Sequence, residues 1–129
     1  MGEWLPIRLS TVVLDCRDVR ALSGFYARML GWSEGDAEGD EWAEIEGTPG
    51  ATAIGFQKNE DYVPPVWPEE AGAQQQMAHL DFGVPKEKLP EAVAHAVACG
   101  AKVASAQFSD RWTVMIDPEG HPFCFVAAG

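Results

Sequence analysis

The C-terminal stretch Asp117–Gly129, DPEGHPFCFVAAG, predicts a tight turn followed by a β-strand. Proline presets one φ angle of such a turn, and the glycine supplies a positive one. Apolar residues predominate in His121–Ala127, which favours a strand. Because alternate side chains of a strand point to opposite faces, Phe123 and Phe125 would share one face and Cys124 would lie on the other. We expect the two phenylalanines to be buried.

The segments before this turn repeat one order of elements twice. The first half predicts a strand, a helix whose N-cap is Asp18, and three short strands: Ile7–Cys16, Val19–Leu30, Trp32–Gly35, Glu41–Gly47 and Ala51–Gln57. The second half predicts the same series: Gln76–Val84, Leu89–Gly100, Ala101–Phe108, Arg111–Asp117 and His121–Ala127. We therefore expect one α+β domain over residues 1–129, with two β-α-β-β-β modules at about 5–57 and 76–129 and a linker at about 58–75.

Composition excludes several classes of partner. The 129 residues carry a formal net charge of −11, which would repel nucleic acid and anionic membranes. The three cysteines have no close spacing, so a reducing compartment fits better than a disulfide framework. We find no apolar run of membrane-spanning length and no signal-peptide pattern at the N-terminus. These observations predict a cytoplasmic protein that binds neither nucleic acid nor membranes.

Familiar catalytic motifs are missing from the sequence. It contains no P-loop, no G-x-G-x-x-G after a strand, no G-x-S-x-G, no C-x-x-C and no H-E-x-x-H. Most nucleotide-binding, serine-hydrolase and zinc-protease functions are therefore excluded.

Three features of the sequence resemble those of the vicinal oxygen chelate superfamily. This superfamily includes glyoxalase I, extradiol dioxygenases and bleomycin-resistance proteins. The three features are the duplicated β-α-β-β-β unit, the FYARMLGW end of the first helix and the DPEGHPFC turn. The resemblance covers nearly the whole chain. It implies that the two modules form a curved mixed β-sheet around a pocket. It also implies that metal-dependent members carry four ligands, typically His or Gln and Glu, on the inner faces of the strands.

The resemblance can be carried over position by position. The opening strands pair His79 with Thr11 or, in a second register, with Val13. The turns TPGA and DPEGH pair Ile54 with Cys124. Cys124 therefore stands where a metal-dependent relative would carry a carboxylate, and the first module offers no good ligand.

The ligand count argues against a resident metal. Catalytic zinc uses three protein ligands and an open position, and only His79 and Cys124 remain at the four positions. A third ligand could come from Asp81, on the same strand face as His79, or from Asp15. We therefore predict no cofactor and no metal ligands, and we keep a divalent metal as the alternative.

Two functions stay open at this point. The first is a metal-independent protein that binds a small aromatic or apolar molecule, as in resistance by sequestration, and the expected lining residues are Thr11, Val13, Ile54, Phe56, Trp67, His79, Trp112 and Cys124. The second is a glyoxalase-like lyase, isomerase or dioxygenase in which His79 and Asp81 are the catalytic acid–base groups. Ordinary structural roles for His79 and Cys124 are the competing interpretation. The long linker and the habit of the family predict a homodimer.

Overall fold

The structure is a computed structural model that describes residues 4–128. The first module contains β1 Thr11–Cys16, α1 Val19–Leu30, β2 Ser33–Glu38, β3 Trp42–Glu46 and β4 Ala53–Lys58. The second contains β5 Leu80–Val84, a 3₁₀ turn at Lys86–Lys88, α2 Leu89–Cys99, β6 Lys102–Val103, β7 Trp112–Ile116 and β8 Pro122–Ala127. The predicted α+β class and the two β-α-β-β-β modules are confirmed. Within the described residues, neither helix is long and apolar enough to cross a membrane.

Each module builds its own mixed four-stranded sheet. The strand orders are β1-β4-β3-β2 and β5-β8-β7-β6, so the duplication predicted from the sequence is visible in the topology. In each sheet the first strand runs parallel to the last, and the remaining pairs are antiparallel. Val13 lies opposite Gly55 in the first sheet, and Asp81 lies opposite Cys124 in the second.

Helix α1 forms where the sequence predicts it. The Asp18 carboxylate accepts a hydrogen bond from the Ala21 backbone N–H at 3.0 Å and caps the helix N-terminus. Gly31 ends the helix in the left-handed region at φ 69°, which costs glycine little. Between these caps the apolar residues recur at helical spacing, and Phe25 and Tyr26 are fully buried.

One hydrophobic core joins the two modules. The Tyr26 ring stacks on Phe56 of the first sheet, with ring centroids 5.8 Å apart. It also contacts Phe82 and Phe123 of the second sheet at 6.2 Å and 5.8 Å. The helix-facing sides of both sheets therefore pack into the same core. The predicted burial of Phe123 and Phe125 is confirmed.

The DPEG turn is held by a buried carboxylate. Asp117 is 4% exposed, and its Oδ1 accepts hydrogen bonds from the backbone N–H groups of Glu119 and His121 at 2.9 Å and 3.0 Å. The Tyr26 hydroxyl donates to Oδ2 at 2.8 Å. Burial raises the pKa of Asp117 above its ordinary value. The turn of the second module is thereby fastened to the helix of the first.

Three predicted strands are shorter by about four residues or more in the structure. The first begins at Thr11 because its partner β4 begins at Ala53, and the apolar Ile7 is 84% exposed instead. The fifth begins at Leu80, so His79 lies just before it. The sixth ends at Val103. Beyond it, the Ala104 N–H still donates to the Val114 carbonyl of β7 at 3.0 Å, and the Gln107 side chain adds further hydrogen bonds to the same strand. Its amide accepts from the Val114 N–H and donates to the Val114 carbonyl, both at 2.8 Å.

Candidate functional site

A cavity of about 330 Å³ opens on the second sheet, on the face that does not pack against the helices. Alternation along β7 and β8 places their side chains there, because every second residue points away from the core. The linker and the start of β5 complete the walls. The lining residues are Trp67, Gln76, His79, Asp81, Trp112, Val114, Pro122, Cys124 and Val126.

The linker contributes an aromatic wall. The Trp67 indole N–H donates a hydrogen bond to the carbonyl of Ala106 at 2.9 Å. The Trp67 ring also packs edge-on against Phe108, with centroids 5.9 Å apart. These two contacts hold the indole in place while its remaining surface lines the cavity together with Trp112. The predicted pocket role of the two tryptophans is therefore consistent with their positions.

Three polar side chains meet at one part of the cavity. His79 Nε2 lies 3.1 Å from Asp81 Oδ1, and both side chains are about half-exposed. Cys124 faces Asp81 across the β5–β8 pair. One ligand atom from each of His79, Asp81 and Cys124 falls within 4.8 Å of the other two, so the three residues could hold a divalent ion. Asp15, the other suggested third ligand, instead accepts hydrogen bonds from Gln57 and Asn59.

The Cys124 thiol is held in its protonated form. Burial, the charge of Asp81 and a hydrogen bond to Asp81 together raise its pKa from an ordinary value of 9.0 to about 11, and burial is the largest of the three causes. Since the thiolate is the nucleophile, Cys124 is poorly suited to attack a substrate at neutral pH in the metal-free protein.

We expect Cys124 to react with iodoacetamide at least about tenfold more slowly at pH 7 than it does in the urea-unfolded chain. A pKa two units higher lowers the thiolate fraction about 100-fold, and the greater nucleophilicity of the more basic thiolate offsets part of that loss. The folded-state rate should climb with pH towards about 11, the raised pKa of the thiol. Mass spectrometry of the tryptic peptide 112–129, in which Cys124 is the single cysteine, measures the rate.

Removing the charge of Asp81 tests whether this carboxylate contributes to the slow alkylation of Cys124. Asp81→Asn should lower the Cys124 pKa and accelerate alkylation, and Asp36→Asn, which alters an exposed strand of the other module, should leave the rate unchanged. Equal rates for Cys124 in the folded and unfolded chains would contradict the expected protection.

Two predicted lining residues of the first module lie away from this cavity. Thr11 and Val13 project from β1 of the other sheet, and Val13 is 41% exposed. The Thr11 hydroxyl donates to Glu44 Oε1 at 3.0 Å. These two residues sit on the face of the first sheet opposite the core. They are not brought together with His79.

Ile54 and Phe56 need a correction, because the structure places both in the hydrophobic core. Equal spacing after the two turns suggested that Ile54 matches Cys124. The strand register matches Cys124 with Gly55 instead, because the first turn is one residue longer. A Cβ at Gly55 would lie 2.5 Å from the Trp42 ring, which covers that position.

Four lining residues are absent from the predicted set, namely Gln76, Val114, Pro122 and Val126. Pro122 and Val126 flank Cys124 on the same face of β8, so alternation along that strand implied them. Val114 is two residues from Trp112 on the same strand, so the alternation that identified Trp112 also implied it. Gln76 lies in irregular chain just before β5, where no periodic signal exists.

The sequence and the fold of this chain are similar to those of known proteins. The sequence model of the glyoxalase-like domain family matches residues 11–126. No curated protein sequence matches the chain. A glyoxalase/bleomycin resistance protein/dioxygenase family enzyme from Burkholderia phytofirmans PsJN superposes with a TM-score of 0.70 at 23% identity, over 92% of this chain and 97% of that one.

Two further solved structures share the fold. A possible glyoxalase from Bacillus cereus has a TM-score of 0.69 at 15% identity and covers 93% of this chain and 98% of its own. The fosfomycin resistance protein FosX from Listeria monocytogenes, solved with Mn(II) and dihydroxypropylphosphonic acid, has a TM-score of 0.70 at 13% identity over 98% and 93% of the two chains. Identities this low support the shared fold alone. The family match spans nearly all of both modules, and the chain therefore belongs to the glyoxalase-like domain family of the vicinal oxygen chelate superfamily.

Proposed function

We propose that this protein binds a small aromatic or apolar molecule in the cavity of its second sheet, as a resistance or sequestration protein that needs no catalytic metal. The observation that carries the proposal is a cavity of about 330 Å³ walled by Trp67, Trp112 and three apolar strand residues. Pockets for small organic molecules are usually concave, mostly apolar and equipped with a few convergent polar groups.

The walls suit a flat ligand. Two indoles and the side chains of Val114, Pro122 and Val126 offer apolar surface from several directions. Aromatic pairs gain about 0.5–1.5 kcal/mol beyond the area that they bury. The His79–Asp81 pair would fix the orientation of a polar substituent by hydrogen bonding.

A neutral aromatic probe tests this proposal. We expect 1-naphthalenemethanol to bind the folded protein in equilibrium dialysis, and Trp112→Ala to weaken binding about tenfold or more, since a lost ring contact of about 1.4 kcal/mol corresponds to a factor of ten. The matched control is Trp4→Ala, because Trp4 is 87% exposed and does not line the cavity. The same weakening in both variants, or no binding to the wild type, would contradict the proposed site.

A metal-dependent enzyme is the second candidate, and the grouping of His79, Asp81 and Cys124 favours it. Imidazole, carboxylate and thiolate are all zinc ligands, and three protein ligands with an open position are typical of catalytic zinc. Ligand atoms of such a site lie about 3.5 Å apart, so the observed group fits after a small contraction. A bound divalent ion would supply Lewis-acid polarisation of a substrate oxygen. It would also favour the Cys124 thiolate.

A second form of the enzyme candidate needs no metal and uses the His79–Asp81 pair alone. Asp81 would hold one nitrogen of the His79 ring at 3.1 Å, which leaves the other nitrogen to take or give a proton. This arrangement supports lyase or isomerase chemistry by acid–base catalysis.

Elemental analysis separates the metal-free binder from the metal-dependent enzyme. Protein purified without a chelator or an affinity tag should contain no stoichiometric metal if it is a metal-free binder. About one divalent ion per chain, lost in His79→Ala, would favour the enzyme instead.

We also propose a cytoplasmic homodimer. Strands β1 and β5 are edges of their sheets, and an unpaired edge is a natural place for another chain to pair. The N-terminal segment 4–9 exposes four large apolar residues that would gain from burial, namely Trp4, Leu5, Ile7 and Leu9. All three cysteines are free, in keeping with a reducing compartment. Sedimentation of a monomer at micromolar concentration would contradict the dimer.

A further inference from the structure

We infer that the cavity selects a positively charged aromatic ligand, of the class of protonated aromatic amines, over a neutral or anionic molecule of the same shape. The inference rests on the proposed ligand-binding function and deepens it, because it names the chemical class of the ligand.

The lining residues are strongly one-sided in charge. Asp81 is a half-exposed carboxylate, and none of the residues that line the described cavity is a lysine or an arginine. A neighbouring cleft shares Gln76 and His79 with the cavity and adds a second carboxylate, Glu69. The Gln76 side-chain amide lies 3.5 Å from Glu69 Oε1. An anion entering here would meet two carboxylates and no fixed cation.

Among the lining residues that the structure describes, His79 is the one group that could offset this charge. It lies 3.1 Å from Asp81 and neutralises that carboxylate only in its protonated form. A ligand ammonium could occupy the same side of Asp81 and take over the ion pair. The remaining polar neighbour, the Cys124 thiol, is 7% exposed and lies opposite Asp81 on the paired strand, so it leaves the carboxylate open to a ligand from the cavity side.

The aromatic walls act in the same direction as the carboxylate. The faces of indole rings carry negative charge density, and tryptophan is the best aromatic partner for a cation. Trp67 and Trp112 both line the space into which Asp81 projects. A molecule with an apolar ring and an ammonium group would therefore find apolar contact, cation–π contact and a carboxylate within one cavity.

Three ligands with the same aromatic body test the selection. They are 1-naphthalenemethylamine, which is a cation at pH 7.5, neutral 1-naphthalenemethanol and anionic 1-naphthoic acid. We expect equilibrium dialysis at 0.15 M salt to give about tenfold tighter binding of the amine than of the alcohol, and still weaker binding of the acid. At this ionic strength screening over about 8 Å suppresses the general effect of the negative protein.

Two charge variants test whether the Asp81 carboxylate causes the preference for the amine. Asp81→Asn should bring the amine affinity to within about threefold of the alcohol affinity, and it should weaken the alcohol much less than the amine because the amide still forms hydrogen bonds. Asp36→Asn removes the same charge from an exposed strand of the first module and should preserve the full preference. Equal thermal melting temperatures would show that both variants keep the fold.

The outcomes distinguish this inference from the proposed function. If none of the three naphthalenes binds, the ligand-binding proposal itself fails. If all three bind alike, or if the acid binds best, ligand binding stands and the charge selection is overturned. A preference for the amine that survives Asp81→Asn would also overturn the assignment to this carboxylate.

Discussion

Replacement of Asp117 by alanine is expected to lower the free energy of unfolding by about 3–5 kcal/mol. The substitution removes the acceptor of three hydrogen bonds and leaves the hydroxyl of the fully buried Tyr26 without a partner. Bonds to a charged group contribute about 1.5–3 kcal/mol each, and the cost of burying the Asp117 carboxylate offsets part of their sum. A loss of this size is a large share of the stability of a small domain.

Urea unfolding followed by tryptophan fluorescence measures this effect. Asp36→Ala is the matched control, since Asp36 lies on an exposed strand, and it should change stability by less than about 0.5 kcal/mol. Asp117→Asn keeps an oxygen acceptor of the same shape and should lose less than the alanine variant. Equal stability of Asp117→Ala and the wild type would show that the turn does not depend on the carboxylate.

Truncation of Phe56 to alanine is expected to cost about 3–5 kcal/mol of stability and to leave the affinity for 1-naphthalenemethanol unchanged. Phe56 is fully buried, and its ring stacks on Tyr26 in the core shared by the two modules. Removing it opens a cavity that the surrounding rings cannot fill. Trp112→Ala should instead weaken naphthalene binding and cost little stability, because Trp112 is 38% exposed and lines the ligand cavity.

The two readouts are measured on the same protein samples, by urea unfolding and by equilibrium dialysis below the unfolding transition. Phe108→Ala is the control for residue type, since Phe108 is 68% exposed and should lose little stability. A stable Phe56→Ala variant that no longer binds the naphthalene would place Phe56 in the ligand site after all. It would overturn the core assignment.

The order of elements was predictable because it depends on local signals. Asp18 and Gly31 mark the ends of α1 by hydrogen bonding and by backbone conformation, which do not require knowledge of distant residues. Alternation along β8 separated Phe123 and Phe125 from Cys124 for the same reason. The family resemblance implied that His79 and Cys124 are neighbours, and Asp81 was added because it shares a strand face with His79. In the structure Asp81 and Cys124 lie on paired strands, and His79 directly precedes β5.

The residues from different modules were harder to place. Ile54 and Phe56 were assigned to the pocket on the assumption that both turns have equal length, and one extra residue shifted every side chain to the other face. Strand ends were also overestimated. Ile7 is a β-branched residue with high strand propensity, but β4 does not extend far enough to pair with it.

The sequence by itself determined the duplicated α+β plan and the strongly negative charge, because caps, alternation and composition act over short distances. The group of three polar residues in the second module was implied by the family resemblance. The tertiary structure decided which faces meet. It placed Tyr26 between the two sheets, tied it to Asp117 and set Trp67 beside Trp112. Such contacts join residues 30 or more positions apart and depend on the packing of whole elements, which no local pattern encodes.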